Sequence, residues 1–237
     1  MPDLKRVVMT GGPCAGKTTA LARVSEWFES HGWTVIRVPE AATLMILGGA
    51  RPDVAVNGFD FQTALLKVQM SLEDSFLSVA DGALKRGQNV LVLCDRGTMD
   101  SAAYVSDKEW RAIVDGSRGT LPILRDSRYD AVIHLVTAAD GAAEFYTLSN
   151  NEARKESAEL AIKLDHLTRD AWVGHPHLRV IGNGPGGFEA KIRDVIQAIC
   201  RVVGIPEPVE SERKFLVRRV DDKFPVKTVD IEIEQTY

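Results

Sequence analysis

The stretch Gly11-Gly12-Pro13-Cys14-Ala15-Gly16-Lys17-Thr18 fits the pattern G-x-x-x-x-G-K-[ST] in full. An apolar run, Val7-Val8-Met9, precedes it, and a helical pattern follows, with Leu21, Val24, Trp27 and Phe28 spaced along Lys17 to His31. Strand, glycine-rich turn and helix in that order leave few options. The turn lies at the carboxyl end of a strand in an α/β sheet, and the helix points its positive dipole end at whatever the turn holds. Gly11, Gly12 and Gly16 are read as admitting backbone angles closed to other residues and letting amides approach an anion. The N–H groups of the loop, including Pro13–Thr19 where a proton is present, form a nest for phosphate oxygens. Lys17 supplies a point charge for the β and γ phosphates, and the Thr18 hydroxyl is a candidate magnesium ligand. The expected ligand is ATP or GTP with Mg2+. The bland alternative is a glycine-rich turn that only caps a helix.

The rest of the chain repeats the strand–helix alternation. Trp33–Val38, Asn89–Cys94, a run within Asp130–Thr137, and Leu178–Ile181 read as strands. Helical patterns cover Phe61–Lys85, Asn151–Trp172 and Phe188–Val203. Strands that are apolar throughout, such as Val90-Leu91-Val92-Leu93, imply a parallel sheet covered on both faces. The expectation is a three-layer α/β domain over residues 1–204. Ile205-Pro206-Glu207-Pro208 reads as a linker. Beyond it, Arg213–Val220 and Val226–Thr236 read as β, and Asp230-Ile231-Glu232-Ile233-Glu234 alternates with period two. Residues 205–237 therefore form a separate, short C-terminal β segment in this reading.

The net charge of −4 over 237 residues gives no basic excess for a general nucleic-acid binder. Cys14, Cys94 and Cys200 are far apart and match no metal or disulfide spacing, which suggests a reducing, cytoplasmic setting. No apolar run approaches the roughly 20 residues of a membrane-spanning helix. The N-terminus shows no signal-peptide pattern.

Several residues outside the loop are placed to do chemistry. Asp95-Arg96-Gly97 follows the buried run Val90–Cys94, so Asp95 stands at a strand's carboxyl end, where it can hold magnesium directly or through water. Alternatively it only caps the next helix. Arg96 offers a bidentate donor to phosphate. Glu40 ends the second strand at the same sheet edge, and can take a proton from an attacking hydroxyl or merely favour a helix start. Gln62, Gln69 and Glu73 share one helix face, which either contacts a base or sugar or is solvated. Arg154 is a candidate to close over the γ-phosphate, against the alternative of a solvent-facing charge. Asn183, in the turn Gly182–Gly187, is placed to touch a nucleotide base, although any tight turn looks similar. The five histidines form no ligand pattern.

Taken together, Gly11–Thr19, Val38-Pro39-Glu40-Ala41-Ala42, Phe61-Gln62 with Gln69 and Glu73, Asp95-Arg96-Gly97, Tyr146-Thr147-Leu148 with Asn151, Glu152 and Arg154, and Gly174-His175-Pro176-His177-Leu178 resemble the ATPase-like domain of the TRPL translocation defect protein family. That domain is similar to nicotinamide riboside kinases and, more distantly, to deoxynucleoside kinases. The family pairs it with a CYTH-like domain whose hallmark, E-x-E-x-K, is met here by Glu210-Ser211-Glu212-Arg213-Lys214. A closed barrel of about eight strands does not fit in the residues after Pro208, so a truncated or reduced second domain is expected. The resemblance implies GTP and phosphatidic-acid binding in membrane-protein trafficking.

Two function classes follow. One is phosphoryl transfer from ATP or GTP to water or a small nucleoside-like acceptor. The other is a nucleotide-controlled module whose affinity for a protein or lipid partner is set by the triphosphate.

Overall fold

A computed structural model describes residues 2–52, 56–117, 119–142 and 157–207. Five strands form one parallel sheet: β1 (Leu4–Gly11), β2 (Thr34–Val38), β3 (Val90–Asp95), β4 (Ala131–Leu135) and β5 (Leu178–Ile181). Their spatial order is β2-β3-β1-β4-β5. The helices are α1 (Lys17–Ser30), α2 (Ala41–Leu47), α3 (Gly58–Lys85), α4 (Asp107–Asp115), α5 (Ala158–Ala171) and α6 (Gly187–Val203). The expected three-layer α/β architecture is therefore the observed one. β1 lies at the centre with β3 and β4 on either side, so the segments leaving all three strands meet at one edge.

Period-two alternation assigns each strand residue to a layer. Val7, Met9, Leu91, Leu93, Ala131, Ile133 and Leu135 pack with α1 and α6. Val8, Val90, Val92, Cys94 and Val132 face the other layer, with Leu66 of α3, Trp110 of α4 and Trp172 beyond α5. His134 shares the phase of Val132 and is fully buried. This alternation also explains why the strands read as continuous apolar runs: both faces are covered.

Two helices are additions to the sequence reading. α2 follows Pro39-Glu40, with Glu40 in extended conformation at its N-cap. α4 opens with a capping box, in which the Ser106 side chain accepts from the Glu109 amide and the Glu109 carboxylate accepts from the Ser106 amide. Of the long helix expected over Asn151–Trp172, the described part is α5, capped by Ser157. Arg154 and the other residues of 143–156 lie outside the described residues, as do Glu210–Lys214 and the rest of the expected β segment. Among the described residues no helix is long and apolar enough to cross a membrane.

Candidate functional site: the phosphate loop and the ends of β2 and β3

The loop leaves β1 at Gly11, whose φ is +142°. A Cβ there would lie 2.1 Å from the Leu135 carbonyl oxygen of β4. Gly11→Ala is therefore expected to cost about 3 kcal/mol or more, read as a lowered denaturation midpoint. A midpoint equal to that of the wild type contradicts this packing. Gly12 is a glycine for a different reason from the one expected. Its φ is not positive; instead, a Cβ would sit 2.7 Å from Asp165 Oδ1. Cys14 carries φ +54°, a conformation uncommon outside glycine. Its carbonyl accepts from the Ala138 amide at 3.2 Å, and the Thr137 hydroxyl donates to the Pro13 carbonyl. The turn after β4 thus holds the middle of the loop. Ala15 is buried beneath it, and Thr18 and Thr19 are exposed on the first turn of α1.

Lys17 Nζ donates to the carbonyl oxygens of Gly11 and Gly12, each at 2.9 Å. Burial and then the Arg96 charge push its ammonium down to about 7, against the pull of Glu40, Asp95 and Asp100. Arg96 follows Asp95 at the end of β3 with φ +68°, a second strained non-glycine residue. Its amide donates to the Met9 carbonyl, its Nε to Glu40 Oε1 at 2.6 Å, and one terminal nitrogen to the Gly11 carbonyl at 3.4 Å. Two cations, Lys17 and Arg96, therefore converge on a single carbonyl oxygen.

The carboxylates divide into two kinds. Glu40 accepts from Arg96 and from Thr43 Oγ1 at 2.6 Å. Burial alone would raise it, but Arg96 and Thr43 hold it below the usual carboxylate range. It is the ion-pair partner of Arg96 and is held ionised, the form of a carboxylate that can accept a proton. Asp95 is raised, first by burial and then by Glu40. No hydrogen bond to its carboxylate is seen among the described residues, so its oxygens are available to a ligand.

The donor set fits magnesium held mostly by phosphate. Among the described residues no group of three or more His, Cys, Asp or Glu side chains could hold a metal. Mg2+ keeps several waters and needs only one or two protein oxygens beside substrate phosphates. Thr18 and Asp95 are hard oxygen donors of that kind.

Other expected contacts resolve into internal networks. Gln69 and Glu73 do not face a ligand. Glu73 is buried and accepts from Gln69 at 2.8 Å, Tyr129 at 2.7 Å and Arg128 at 2.7 Å. Gln69 also donates to the Arg96 carbonyl, bracing its strained backbone. Gln62 is buried with Oε1 unpartnered among the described residues. Asn183 does not present its amide to a base. Its Nδ2 donates to the Thr137 and Asp140 carbonyls, and its Oδ1 accepts from Lys191 at 2.9 Å.

Residues with no motif of their own complete the frame. Asp100 accepts from Thr10, from the Gly97 amide at 2.8 Å and from Trp172 Nε1 at 3.0 Å, tying β1, the β3 exit and the end of α5 together. Lys191, buried on α6, donates to the Val136 carbonyl at 2.6 Å. Burial pushes its ammonium down to about 8, although Asp165 acts to raise it. The unfolded chain thus holds more protons than the folded one between about pH 8 and the ordinary value of 10.5. Stability due to this group therefore rises with pH across that window. Denaturant titrations are expected to show the wild type gaining on Lys191→Met over the window; parallel pH profiles contradict it.

A family model described as an AAA domain matches residues 6–191. The chain belongs to the AAA domain family. The crystal structure of thymidylate kinase from Ehrlichia chaffeensis is similar, with a TM-score of 0.52 at 15% identity, over 85% of this chain and 100% of that one. At that identity the likeness speaks for the fold: this AAA domain has the P-loop kinase-like α/β arrangement. No curated protein matches the chain in sequence. The family match covers the loop, Glu40 and Asp95-Arg96, and shows neither the TRPL family nor a CYTH-like part.

Proposed function

We propose that the chain binds ATP or GTP with Mg2+ and transfers the γ-phosphoryl group to water or to a small nucleoside-like acceptor. The observation that carries this reading is the convergence of Lys17 and Arg96 on the Gly11 carbonyl. Two like charges this close repel, and an anionic ligand offsets that repulsion. Loop amides and Lys17 hold the phosphates. Thr18 and Asp95 would hold the metal, which when bound neutralises charge on phosphate oxygens. Arg96, locked by Glu40 through Nε and touching the Gly11 carbonyl through one terminal nitrogen, has its other terminal nitrogen for charge that develops during transfer. Such a reaction needs positioning and electrostatics more than covalent help from the protein.

One observation favours a second reading. Glu40 is paired with Arg96 and held below the usual carboxylate range, which makes it a weaker base toward an attacking hydroxyl or water. Slow turnover of that kind suits a module in which the nucleotide state sets affinity for a protein or phosphatidic-acid partner, as the TRPL resemblance implies. 31P NMR of ATP and GTP with Mg2+, with and without pooled nucleosides, separates the two. A new phosphomonoester supports the kinase form, and released phosphate supports the hydrolase. Intact triphosphate after prolonged incubation rejects both and leaves the regulatory module.

A further inference from the structure

Asp165 is a buried carboxylate beside the loop with three hydrogen-bond partners, and neither motif nor spacing had singled it out. It sits on α5 with 1% of its surface exposed. One oxygen, Oδ1, accepts from the Gly12 amide at 2.8 Å and from the Thr137 amide at 3.0 Å. The other, Oδ2, lies 3.1 Å from His134 Nε2. Burial alone would raise the carboxyl, but His134 and the two amides hold it below its ordinary value. As a carboxylate it only accepts, so His134 Nε2 carries the shared proton. His134 Nδ1 is buried with no partner among the described residues.

The two amides on Oδ1 belong to different parts of the site. Gly12 begins the phosphate loop. Thr137 begins the turn that holds the loop's middle through Pro13 and Cys14. A single oxygen thus fixes the loop and its support in one relative position. The close approach also accounts for glycine at position 12, since a Cβ there would collide with Asp165.

We propose that Asp165 is a positioning residue that sets the phosphate loop in its ligand-ready shape by holding the Gly12 and Thr137 amides on one carboxylate oxygen. The proposal rests on the reading of the loop as a triphosphate site. Without Asp165 both amides lose their acceptor, and the loop must rearrange before its remaining N–H groups can face phosphate. Asn keeps one acceptor oxygen for both amides. Its NH2 can donate to His134 Nε2 once the imidazole proton moves to Nδ1.

The test uses the full chain as wild type, Asp165→Ala and Asp165→Asn, with Asp165→Leu as a cavity-free variant should the alanine form not fold. Amide hydrogen exchange of the ligand-free protein is measured over residues 11–19 and over β1 and β3. Affinities for MgATP and MgGTP are measured alongside. In Asp165→Ala the loop is expected to lose protection while β1 and β3 keep theirs. Affinity for the preferred nucleotide falls by at least about tenfold, as loss of a charged hydrogen-bond acceptor implies. Asp165→Asn recovers loop protection and binds within about threefold of the wild type. A lowered melting temperature with unchanged loop exchange and affinity overturns the proposal, because a merely structural role predicts that pattern. Failure of Asp165→Asn to recover either readout also overturns it. A wild type that binds neither nucleotide overturns the triphosphate reading instead. The exchange comparison still decides whether Asp165 orders the loop.

Discussion

Lys17→Ala is expected to lower kcat/KM for triphosphate turnover by about 10²–10³-fold, the scale for removing one preorganised charge-stabilising donor. The variant is expected to fold. Lys17 bonds only to the Gly11 and Gly12 carbonyls at the open face of the loop, and it is not part of either apolar layer. Removing a half-buried ammonium beside Arg96 also relieves repulsion, so stability is expected to hold or rise slightly. Loss of turnover with retained stability is the signature of a ligand-binding lysine. Steady-state phosphate release and a denaturation curve on the same sample read both quantities. Unchanged turnover in this variant contradicts the assignment of Lys17.

The second large effect is expected at Arg96. Arg96→Ala removes the guanidinium that links Glu40 to the Gly11 carbonyl. A fall in kcat/KM of about 10²–10³-fold is expected, accompanied by some loss of stability because Glu40 is left partly buried without its ion-pair partner. Arg96→Lys is expected to behave almost as badly. A single ammonium cannot reach Glu40 and the loop carbonyl from the two sides of one planar fork. The ratio of kcat/KM values for the Ala and Lys variants is the informative number. A Lys variant close to wild type means that charge alone matters and that the Glu40 lock does not.

What could be read from residues was whatever had a local cause. The phosphate loop is a contiguous pattern between a strand and a helix, and its placement followed from those neighbours. Asp95 and Glu40 each end an apolar run, so parallel strands deliver them to one edge. The three-layer architecture followed from strands with two apolar faces. The ion pair of Glu40 with Arg96 was not legible, because the two lie 56 positions apart and meet through the β2–β3 pairing.

Asp165 was hidden for a related reason. In Glu159-Leu160-Ala161-Ile162-Lys163-Leu164-Asp165-His166-Leu167-Thr168-Arg169-Asp170 it looks like one more solvated charge. The signal was helical phase: Ala161, Asp165, Thr168 and Trp172 lie along one stripe, and all four are buried. Asp100 had no such cue, since its three donors come from three separate elements. Gln69 and Glu73 show the reverse error. A polar stripe on α3 suggested a ligand, but Tyr129 and Arg128 from a distant segment satisfy it internally.

The central claim is that the loop at Gly11–Thr19 holds a nucleoside triphosphate. Thermal unfolding with ATP, GTP, their diphosphates and inorganic triphosphate, each with Mg2+, on wild type and Lys17→Ala, tests it most directly. At a ligand concentration about 100 times Kd, binding adds about 2.7 kcal/mol, which is a rise of about 5–10 °C for a domain of this size. ATP or GTP is expected to give that rise in the wild type and most of it is expected to vanish in Lys17→Ala. No rise with any triphosphate, or a rise of equal size in both proteins, contradicts the claim.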